Sequence, residues 1–148
     1  MDLRFLRCNT CGNIIMFQND AGPTPACCGT KMETLKAGTS DASIEKHVPV
    51  VIVEKGDSKE DKCTGDRFTK VGCCDSYVTV KVGASEHVMT DDHYIEWIVL
   101  QTNCGVYTKF LEPGDKAEAV FCLTKGEKAE KAYSYCNLHG LWVSEKLK

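Results

Sequence analysis

The chain has 148 residues, 43% of them apolar and 26% charged, with a formal net charge of −3. These values are typical of one globular domain with room for a small second module, and they exclude a strongly basic nucleic-acid-binding surface. No apolar run reaches the roughly 20 residues that cross a bilayer. The N-terminus lacks the apolar core of a signal peptide, which predicts a cytoplasmic protein. Ten cysteines in such a chain favour metal binding or redox chemistry over a disulfide framework.

Residues 1–36 are predicted to form a separate module, which is too short to build its own core without a metal or a cross-link. Its four cysteines form a C-x2-C pair, Cys8 and Cys11, and an adjacent pair, Cys27 and Cys28. Four thiolates can hold one tetrahedral zinc or iron ion, and the spacing alone leaves both metals open. Neighbouring side chains of an extended strand point apart, so the adjacent pair must lie in a bend, which the following glycine favours.

The rest of the chain predicts a linker followed by β structure. Residues 37–43 are small and polar, as linkers are. Within residues 44–148, seven segments rich in β-branched and aromatic residues predict strands, and their spacing predicts an antiparallel sandwich. The predicted strands are 48–54, 76–83, 94–102, 105–112, 118–124, 131–136 and 141–147. Residues 55–75 are polar, charged and longer than a usual connection, which predicts an exposed excursion.

The chain's four histidines all lie at predicted strand edges or tight connections. They are His47, His87, His93 and His139, and the last follows Cys136 by three residues. Each one alone is typical of a surface or structural histidine. Together, four imidazoles and a thiolate suit a first-row transition metal and leave one position of an octahedron open, as a catalytic metal requires.

Two sets of motifs carry a resemblance to a known family, and together they cover nearly the full chain. Residues 1–36, with their two cysteine pairs, GNIIMF and the CCG-x-KM ending, resemble desulforedoxin, a small Fe(Cys)4 module. EKHVPVV, EHVMTDDHYIEWI, VYTKFLEPGDKAEAVF and CNLHGLW resemble the catalytic domain of desulfoferrodoxin, the two-iron superoxide reductase. Two departures are Val88, where the family often has Pro, and residues 55–75, which resemble an insertion.

The resemblance implies a mainly β fold, an immunoglobulin-like antiparallel sandwich with a small N-terminal desulforedoxin-like module, assembled as a homodimer. It implies two irons per chain, one Fe(Cys)4 and one Fe(His)4(Cys). The first would be held by Cys8, Cys11, Cys27 and Cys28. The second would be held by His47, His87, His93 and His139 in a plane and by Cys136 along the axis.

The resemblance also implies an activity, the one-electron reduction of superoxide to hydrogen peroxide without release of oxygen. Lys46 would attract the anion and help to order a proton-donating water, and Glu45 would occupy the sixth position of the oxidised iron. A rubredoxin-like protein would return electrons. The N-terminal iron would relay electrons or mainly stabilise its module, and the residues favour neither role.

Three alternatives stand beside this reading: a non-catalytic iron-sulfur electron-transfer protein, a zinc-stabilised binding module and a dismutase that also releases oxygen. The electron carrier leaves the four histidines unexplained. Five cysteines have no assigned role: Cys63, Cys73, Cys74, Cys104 and Cys122. Of these, Cys122 lies within an apolar predicted strand, which predicts a buried small hydrophobic residue.

Overall fold

The computed structural model describes residues 3–38, 44–56, 75–145 and 147. The chain forms two compact units, Met1–Ala37 and Gly38–Lys148. Most of the predicted linker (39–43) and most of the predicted insertion (57–74) lie outside the described residues. Among the helices of the described residues, none is long and apolar enough to span a bilayer.

The first unit is built from very short strands around a small core. Its strands are β1 (Phe5–Arg7), β2 (Ile14–Met16), β3 (Ala26–Cys27), β4 (Thr30–Lys31) and β5 (Glu33–Thr34). They form a sheet in the order β2-β1-β5 and a ribbon of β3 and β4. Leu6, Cys8 and Met32 form one buried cluster in this unit, with Phe17 and Cys27 packed against it. A core of this size gives little hydrophobic stabilisation, so the cysteine cluster is needed to hold the unit together.

In the part of the second unit that the structure describes there are one short helix and seven strands, one strand at each predicted position, although several ends differ from the predicted bounds. The elements are α1 (Ile44–His47), β6 (Pro49–Lys55), β7 (Ser76–Val82), β8 (Ile95–Thr102), β9 (Val106–Phe110), β10 (Glu118–Leu123), β11 (Ala129–Cys136) and β12 (Gly140–Val143). The sequence does not predict α1, because four residues span little more than one helical turn and show no periodic pattern.

The strands of the second unit form two antiparallel sheets, ordered β10-β7-β6 and β12-β11-β8-β9. Val78, Val80 and Val82 of β7 are at most 2% exposed and face a shared core with Ile98 and Leu100 of β8. Their alternation with less buried neighbours confirms the predicted period of two. Two sheets that share one core form the predicted sandwich.

The last residue of β6 and the first residue of β7 lie side by side in the first of these sheets. Lys55, the last residue of β6, pairs with Ser76, the first of β7. One position further out, the Gly56 N–H donates a hydrogen bond to the Asp75 carbonyl oxygen at 2.9 Å. The two strands are therefore an antiparallel pair with the predicted excursion between them.

Candidate metal centres

The cysteine cluster of the first unit is built by two tight turns. The Cys8 N–H donates to the Asn13 carbonyl at 2.9 Å, and the Gly12 N–H donates to the Cys8 carbonyl at 2.9 Å. Gly12 has φ +80°, a left-handed conformation that glycine adopts without strain. The turn brings Cys8 and Cys11 to the same side of the loop.

The second turn explains how adjacent cysteines can share a site. Cys27 pairs with Thr30, so Cys28 and Gly29 form a two-residue hairpin loop. Their φ angles are +51° and +79°, the left-handed values of a type I′ turn. The predicted bend is confirmed. The Sγ atoms of Cys27 and Cys28 lie 3.9 Å apart, and the Cys27 Sγ lies 3.6 Å from that of Cys11.

The pKa shifts of the thiols in this cluster indicate that it binds a cation. Backbone N–H groups of Cys11 and Thr10 lower the pKa of Cys8 to about 6. The neighbouring thiols, Cys11 first, raise the pKa of Cys28 to about 12, and they raise that of Cys27 as well. One thiolate therefore forms easily and penalises the next, so four thiolates together require a bound positive charge. The four sulfur atoms all lie within 4.8 Å of one another, which fits a single tetrahedral ion.

The second cluster gathers donors from three separate segments of the sandwich. His47 is the last residue of α1. His87 and His93 lie in the connection from β7 to β8. Cys136 and His139 lie in the β11–β12 hairpin. The five donor atoms lie within 4.8 Å of one another. The structure thus brings together all five of the predicted residues at one end of the sandwich.

The hairpin accounts for the spacing between the cysteine and the last histidine. Cys136 pairs directly with Gly140, which leaves a three-residue loop containing His139. Gly140 has φ +71°, the left-handed residue that commonly follows such a loop. The loop brings the Cys136 Sγ within 3.6 Å of His139 Nδ1.

The four imidazole rings form a square. Neighbouring ring centroids are 4.7 to 4.8 Å apart, and neighbouring planes meet at 78° to 84°. His47 and His93 occupy opposite corners, with centroids 6.3 Å apart, close to the diagonal of a square with such sides. This arrangement directs four nitrogens at one central point, as four ligands in the plane of a metal would be directed.

The protonation of His87 leaves a lone pair facing that central point. His87 Nδ1 donates to the Val88 carbonyl oxygen at 2.6 Å, so Nε2 of the neutral ring carries no proton. Nε2 faces His47 Nε2 at 3.1 Å, and the same His47 nitrogen lies 2.9 Å from His139 Nδ1. His47 has at most one proton to share between these two nitrogens. The remaining lone pairs repel one another unless a cation lies between them.

The burial of His87 and His93 adds to the need for a cation at the centre of the square. It lowers the pKa of His87 to about 4, and it is also the main cause that lowers the pKa of His93. Both rings are therefore neutral at pH 7 and present lone pairs. His93 Nε2 is buried and has no hydrogen-bond partner among the described residues. A buried nitrogen of this kind costs about 1–3 kcal/mol unless something binds it, and a metal ion at the centre of the square would do so.

The thiol of Cys136 is fully buried at the end of the sandwich core. Burial raises its pKa, while the backbone N–H groups of His139 and Leu138 act in the opposite direction. Those two N–H groups can stabilise the thiolate once a metal has replaced the proton. The donor set of four imidazoles and one thiolate therefore fits iron.

Two side chains that the sequence analysis missed fix the position of His47. Ser134, fully buried in β11, donates from Oγ to the His47 carbonyl oxygen at 3.1 Å. The indole of Trp142 stacks on the imidazole, with ring centroids 4.9 Å apart and planes 24° apart. The Trp lies three residues after His139 in the quoted CNLHGLW motif, and that proximity was the one available signal.

Glu45 and Lys46 are both exposed on α1, immediately before the buried His47. The helix is held against the end of β7, where the Ala84 N–H donates to the Glu45 carbonyl at 2.7 Å. A side chain at Gly83 would meet the Lys46 carbonyl oxygen at 2.6 Å, so this approach requires a glycine. After burial and the His139 ring, the Lys46 ammonium further lowers the pKa of His93, which indicates that its charge acts on the square of rings.

The other two cysteines that the structure describes, Cys104 and Cys122, belong to neither cluster. Cys104 is an exposed free thiol. Cys122 is exposed and disulfide-bonded, so the prediction that it is a buried hydrophobic residue is wrong. In β10 the apolar alternation places Phe121 and Leu123 in the core, and Cys122 between them points the other way.

An antiparallel β-sandwich with a four-histidine, one-cysteine iron site, preceded by a four-cysteine iron module, defines a class of two-iron, non-haem proteins. The sequence profile of the Desulfoferrodoxin family matches residues 39–145. The chain belongs to the desulfoferrodoxin family.

The individual similarities extend over three quarters of the chain or more. The desulfoferrodoxin of Nitratidesulfovibrio vulgaris is 40% identical over 94% of this chain and 93% of its own length. The superoxide reductase of Pyrococcus abyssi is 34% identical over 76% of this chain and 94% of its own length. The crystal structure of the superoxide reductase from Treponema pallidum matches with a TM-score of 0.71 and 32% identity, covering 97% of this chain and 98% of that one.

Proposed function

We propose that this chain is a superoxide reductase, which combines superoxide with one electron and two protons to give hydrogen peroxide and releases no oxygen. The observation that carries the proposal is the square of four imidazoles closed by the Cys136 thiol. The similarity to the superoxide reductases of Treponema pallidum and Pyrococcus abyssi supports it.

Iron bound in this cluster supplies the one-electron chemistry. His47, His87, His93 and His139 would supply four nitrogen ligands to this iron, and Cys136 would supply a thiolate ligand. The buried thiolate would donate electron density to the iron, which would favour release of the reduced product.

We assign Lys46 to the capture of the substrate and to proton delivery. Its exposed ammonium lies one residue from His47 and adds positive charge to the site. A positive charge beside an open position attracts a small anion and orients water for proton transfer. The alternative is that Lys46 is an ordinary charged residue near the end of α1 and has no role in the reaction.

We assign Glu45 to the oxidised resting state, in which its carboxylate would be a further ligand of the iron. The residue is exposed, and the α1 backbone around it is anchored through the Glu45 carbonyl. Because the backbone is anchored and the side chain is exposed, the carboxylate would be free to leave the centre on reduction. This role carries over from the family resemblance.

We further propose a division of work between the two parts of the chain. Residues 1–36 carry the Fe(Cys)4 centre, residues 37–43 are the linker, and residues 44–148, with 55–75 as an insertion, carry the reaction. Exposure of Cys11 and Cys28 supports an electron-transfer role for the first centre. We expect a rubredoxin-like donor, a homodimer and a cytoplasmic location.

The same exposure favours the second candidate, a non-catalytic iron-sulfur electron carrier. That function gives no reason for the five-donor cluster in the sandwich, which is why we rank it second. The two functions differ in whether superoxide is consumed at the four-histidine centre.

Iron analysis combined with superoxide consumption tests the proposal. We expect two irons per chain, one for each cluster, with an additional ferric thiolate band from the four-histidine centre. Reduced protein should consume superoxide with hydrogen peroxide as product and no oxygen evolution. Zinc in place of iron, or oxygen release, would contradict it.

A further inference from the structure

Asn137, directly after Cys136, clamps the chain on both sides of His93. Its side-chain Nδ2 donates to the Asp92 carbonyl oxygen at 2.9 Å, and its Oδ1 accepts from the Tyr94 N–H at 3.0 Å. Its own backbone N–H donates to the Tyr94 carbonyl at 3.2 Å. Three hydrogen bonds thus bracket one histidine of the square from the residue that follows the thiolate.

The backbone of His93 itself is held from the other side. Thr90 and His93 exchange two backbone hydrogen bonds, of 2.9 and 3.1 Å, in an isolated bridge. The Asn137 bonds then tie this small loop to the β11–β12 hairpin. As a result, the backbone of His93, which carries the imidazole, cannot shift relative to Cys136 without breaking the clamp.

The clamp requires an amide. The Asp92 carbonyl can only accept a hydrogen bond, and the Tyr94 N–H can only donate one. A single side chain must therefore offer a donor and an acceptor on one planar group, which Asn does. An Asp at position 137 has almost the same shape, but it would place a carboxylate oxygen against the Asp92 carbonyl.

The opposite end of the same sheet carries an equivalent clamp without metal ligands. Asn103 Nδ2 donates to the Gly126 carbonyl at 3.3 Å, and its Oδ1 accepts from the Lys128 N–H at 2.8 Å. The Asn103 backbone N–H donates to the Lys128 carbonyl at 3.1 Å. These bonds bracket Glu127 as those of Asn137 bracket His93.

The two clamps are related by the pairing of β8 with β11. Each asparagine follows the last residue of one of these antiparallel strands and grips the segment that enters the other strand. The same local device therefore exists twice, once beside the metal ligands and once beside a structural carboxylate. A comparison of variants at the two asparagines therefore separates a contribution to protein stability from a contribution to the metal centre.

We propose that Asn137 is a positioning residue of the four-histidine centre, and that its amide holds His93 in register with Cys136. The inference deepens the proposed function, because it concerns the same centre. It does not depend on superoxide being the substrate, since any metal held by the five donors would report the register.

The test compares the full chain with Asn137→Asp and Asn103→Asp, loaded with Co²⁺ or with iron. We expect both substitutions to lower the urea midpoint of unfolding. Only Asn137→Asp should weaken metal binding at the four-histidine centre, by about 10- to 100-fold, the range for residues that orient ligands. Only Asn137→Asp should shift the Co²⁺ absorption and the ferric resonance of that centre.

Equal metal affinity and identical spectra in the two variants would overturn the proposal. If Asn137→Asp does not fold, hydrogen exchange in the wild-type protein provides the test. The Tyr94 amide should be protected as well as the Lys128 amide, and rapid exchange at Tyr94 alone would overturn the clamp. Because Co²⁺ binding is read without superoxide, a protein inactive towards superoxide would contradict the proposed function and leave this result standing.

Discussion

The hydrogen bond from His87 Nδ1 to the Val88 carbonyl oxygen fixes which nitrogen of His87 is free to bind a metal. It uses a backbone carbonyl, and Pro carries the same group. The Val at this position, where the family often has Pro, therefore leaves the means of orienting His87 unchanged. With the pKa of His87 lowered to about 4 by burial, the ring offers its lone pair at pH 7 without first losing a proton.

Lys46→Ala tests the role of charge at the residue scale. We expect the second-order rate with superoxide to fall about tenfold at low salt, because electrostatic steering of small anions is worth at least that much. The dependence of the rate on ionic strength should weaken at the same time. Stopped-flow measurements over a salt series provide the readout. Lys125→Ala removes an exposed charge from the β10–β11 turn and should change little, and equal salt slopes in all three proteins would contradict steering by Lys46.

Glu45→Ala tests the carboxylate assigned to the oxidised state. The rate with superoxide should stay within about twofold of wild type, because in our proposal the carboxylate leaves the reduced site and so contributes little to transition-state binding. The ferric absorption band should shift, because a different ligand would take the place of the carboxylate. Glu112→Ala, at an exposed site after β9, is the control. An unchanged ferric spectrum in Glu45→Ala argues against the assignment.

At the scale of elements, strands were predictable and their convergence was not. Val78, Val80 and Val82 alternate with polar neighbours, and this period predicts both the strand and its buried face. The bend at the adjacent cysteines was predictable because extended neighbours cannot share a metal. The helix α1, the Ser134 and Trp142 contacts and the paired asparagine clamps depend on which segments meet in space. A single sequence contains no periodic signal for such contacts.

Gly83→Ala tests how α1 is positioned on the end of β7. The added Cβ would lie 2.6 Å from the Lys46 carbonyl oxygen, and φ is +84°. Gly126→Ala is a matched control with φ +85° and no atom within 4 Å of the new Cβ. The control should lose about 1–2 kcal/mol of unfolding free energy, the cost of the left-handed conformation.

Gly83→Ala should lose more than this control in urea unfolding, because the helix must also move away. It should in addition change the ferric spectrum of the four-histidine centre, since His47 moves with Lys46. Equal losses and an unchanged spectrum in the two variants would show that the close approach does not position the site.

Glu127→Gln tests the buried carboxylate inside the second clamp. Glu127 accepts hydrogen bonds from Thr102 Oγ1 at 2.7 Å, from Tyr107 OH at 2.8 Å and from the Thr124 N–H at 3.2 Å. Burial raises its pKa, but these bonds outweigh burial and hold the pKa below its usual value. At pH 7 the variant should lose about 1–3 kcal/mol of unfolding free energy, because a buried donor loses a charged acceptor.

The pH dependence of that loss follows from the direction of the pKa shift. A carboxyl group with a lowered pKa in the folded state stabilises the fold fully above its unfolded pKa, about 4.3. The stabilisation disappears as the pH falls through the folded value. Urea unfolding of wild type and Glu127→Gln should therefore differ at pH 7 and converge under strongly acidic conditions. A difference that does not depend on pH would show that the carboxylate is not charged in the folded protein.

At the scale of the whole molecule, each unit has its own core and contains all the donors of its own metal cluster. Leu6 and Met32 pack within the first unit, and the valines of β7 pack within the second. Because no ligand of either cluster is contributed by the other unit, each centre can lose its metal without dismantling the other. We therefore expect the two centres to bind and lose their metals independently of each other.

Cys28→Ser tests this independence in the full chain. Cys28 is exposed, so a serine leaves the packing of the first unit intact, but hydroxyl oxygen is a poor ligand where thiolate holds iron. We expect the iron content to fall from two atoms per chain to one. The ferric band of the four-histidine centre, and the rate of the pre-reduced protein with superoxide in a single turnover, should match wild type. Cys104→Ser removes an exposed thiol outside both clusters and should retain both irons. Loss of both irons in Cys28→Ser would mean that the second centre depends on the first for its assembly.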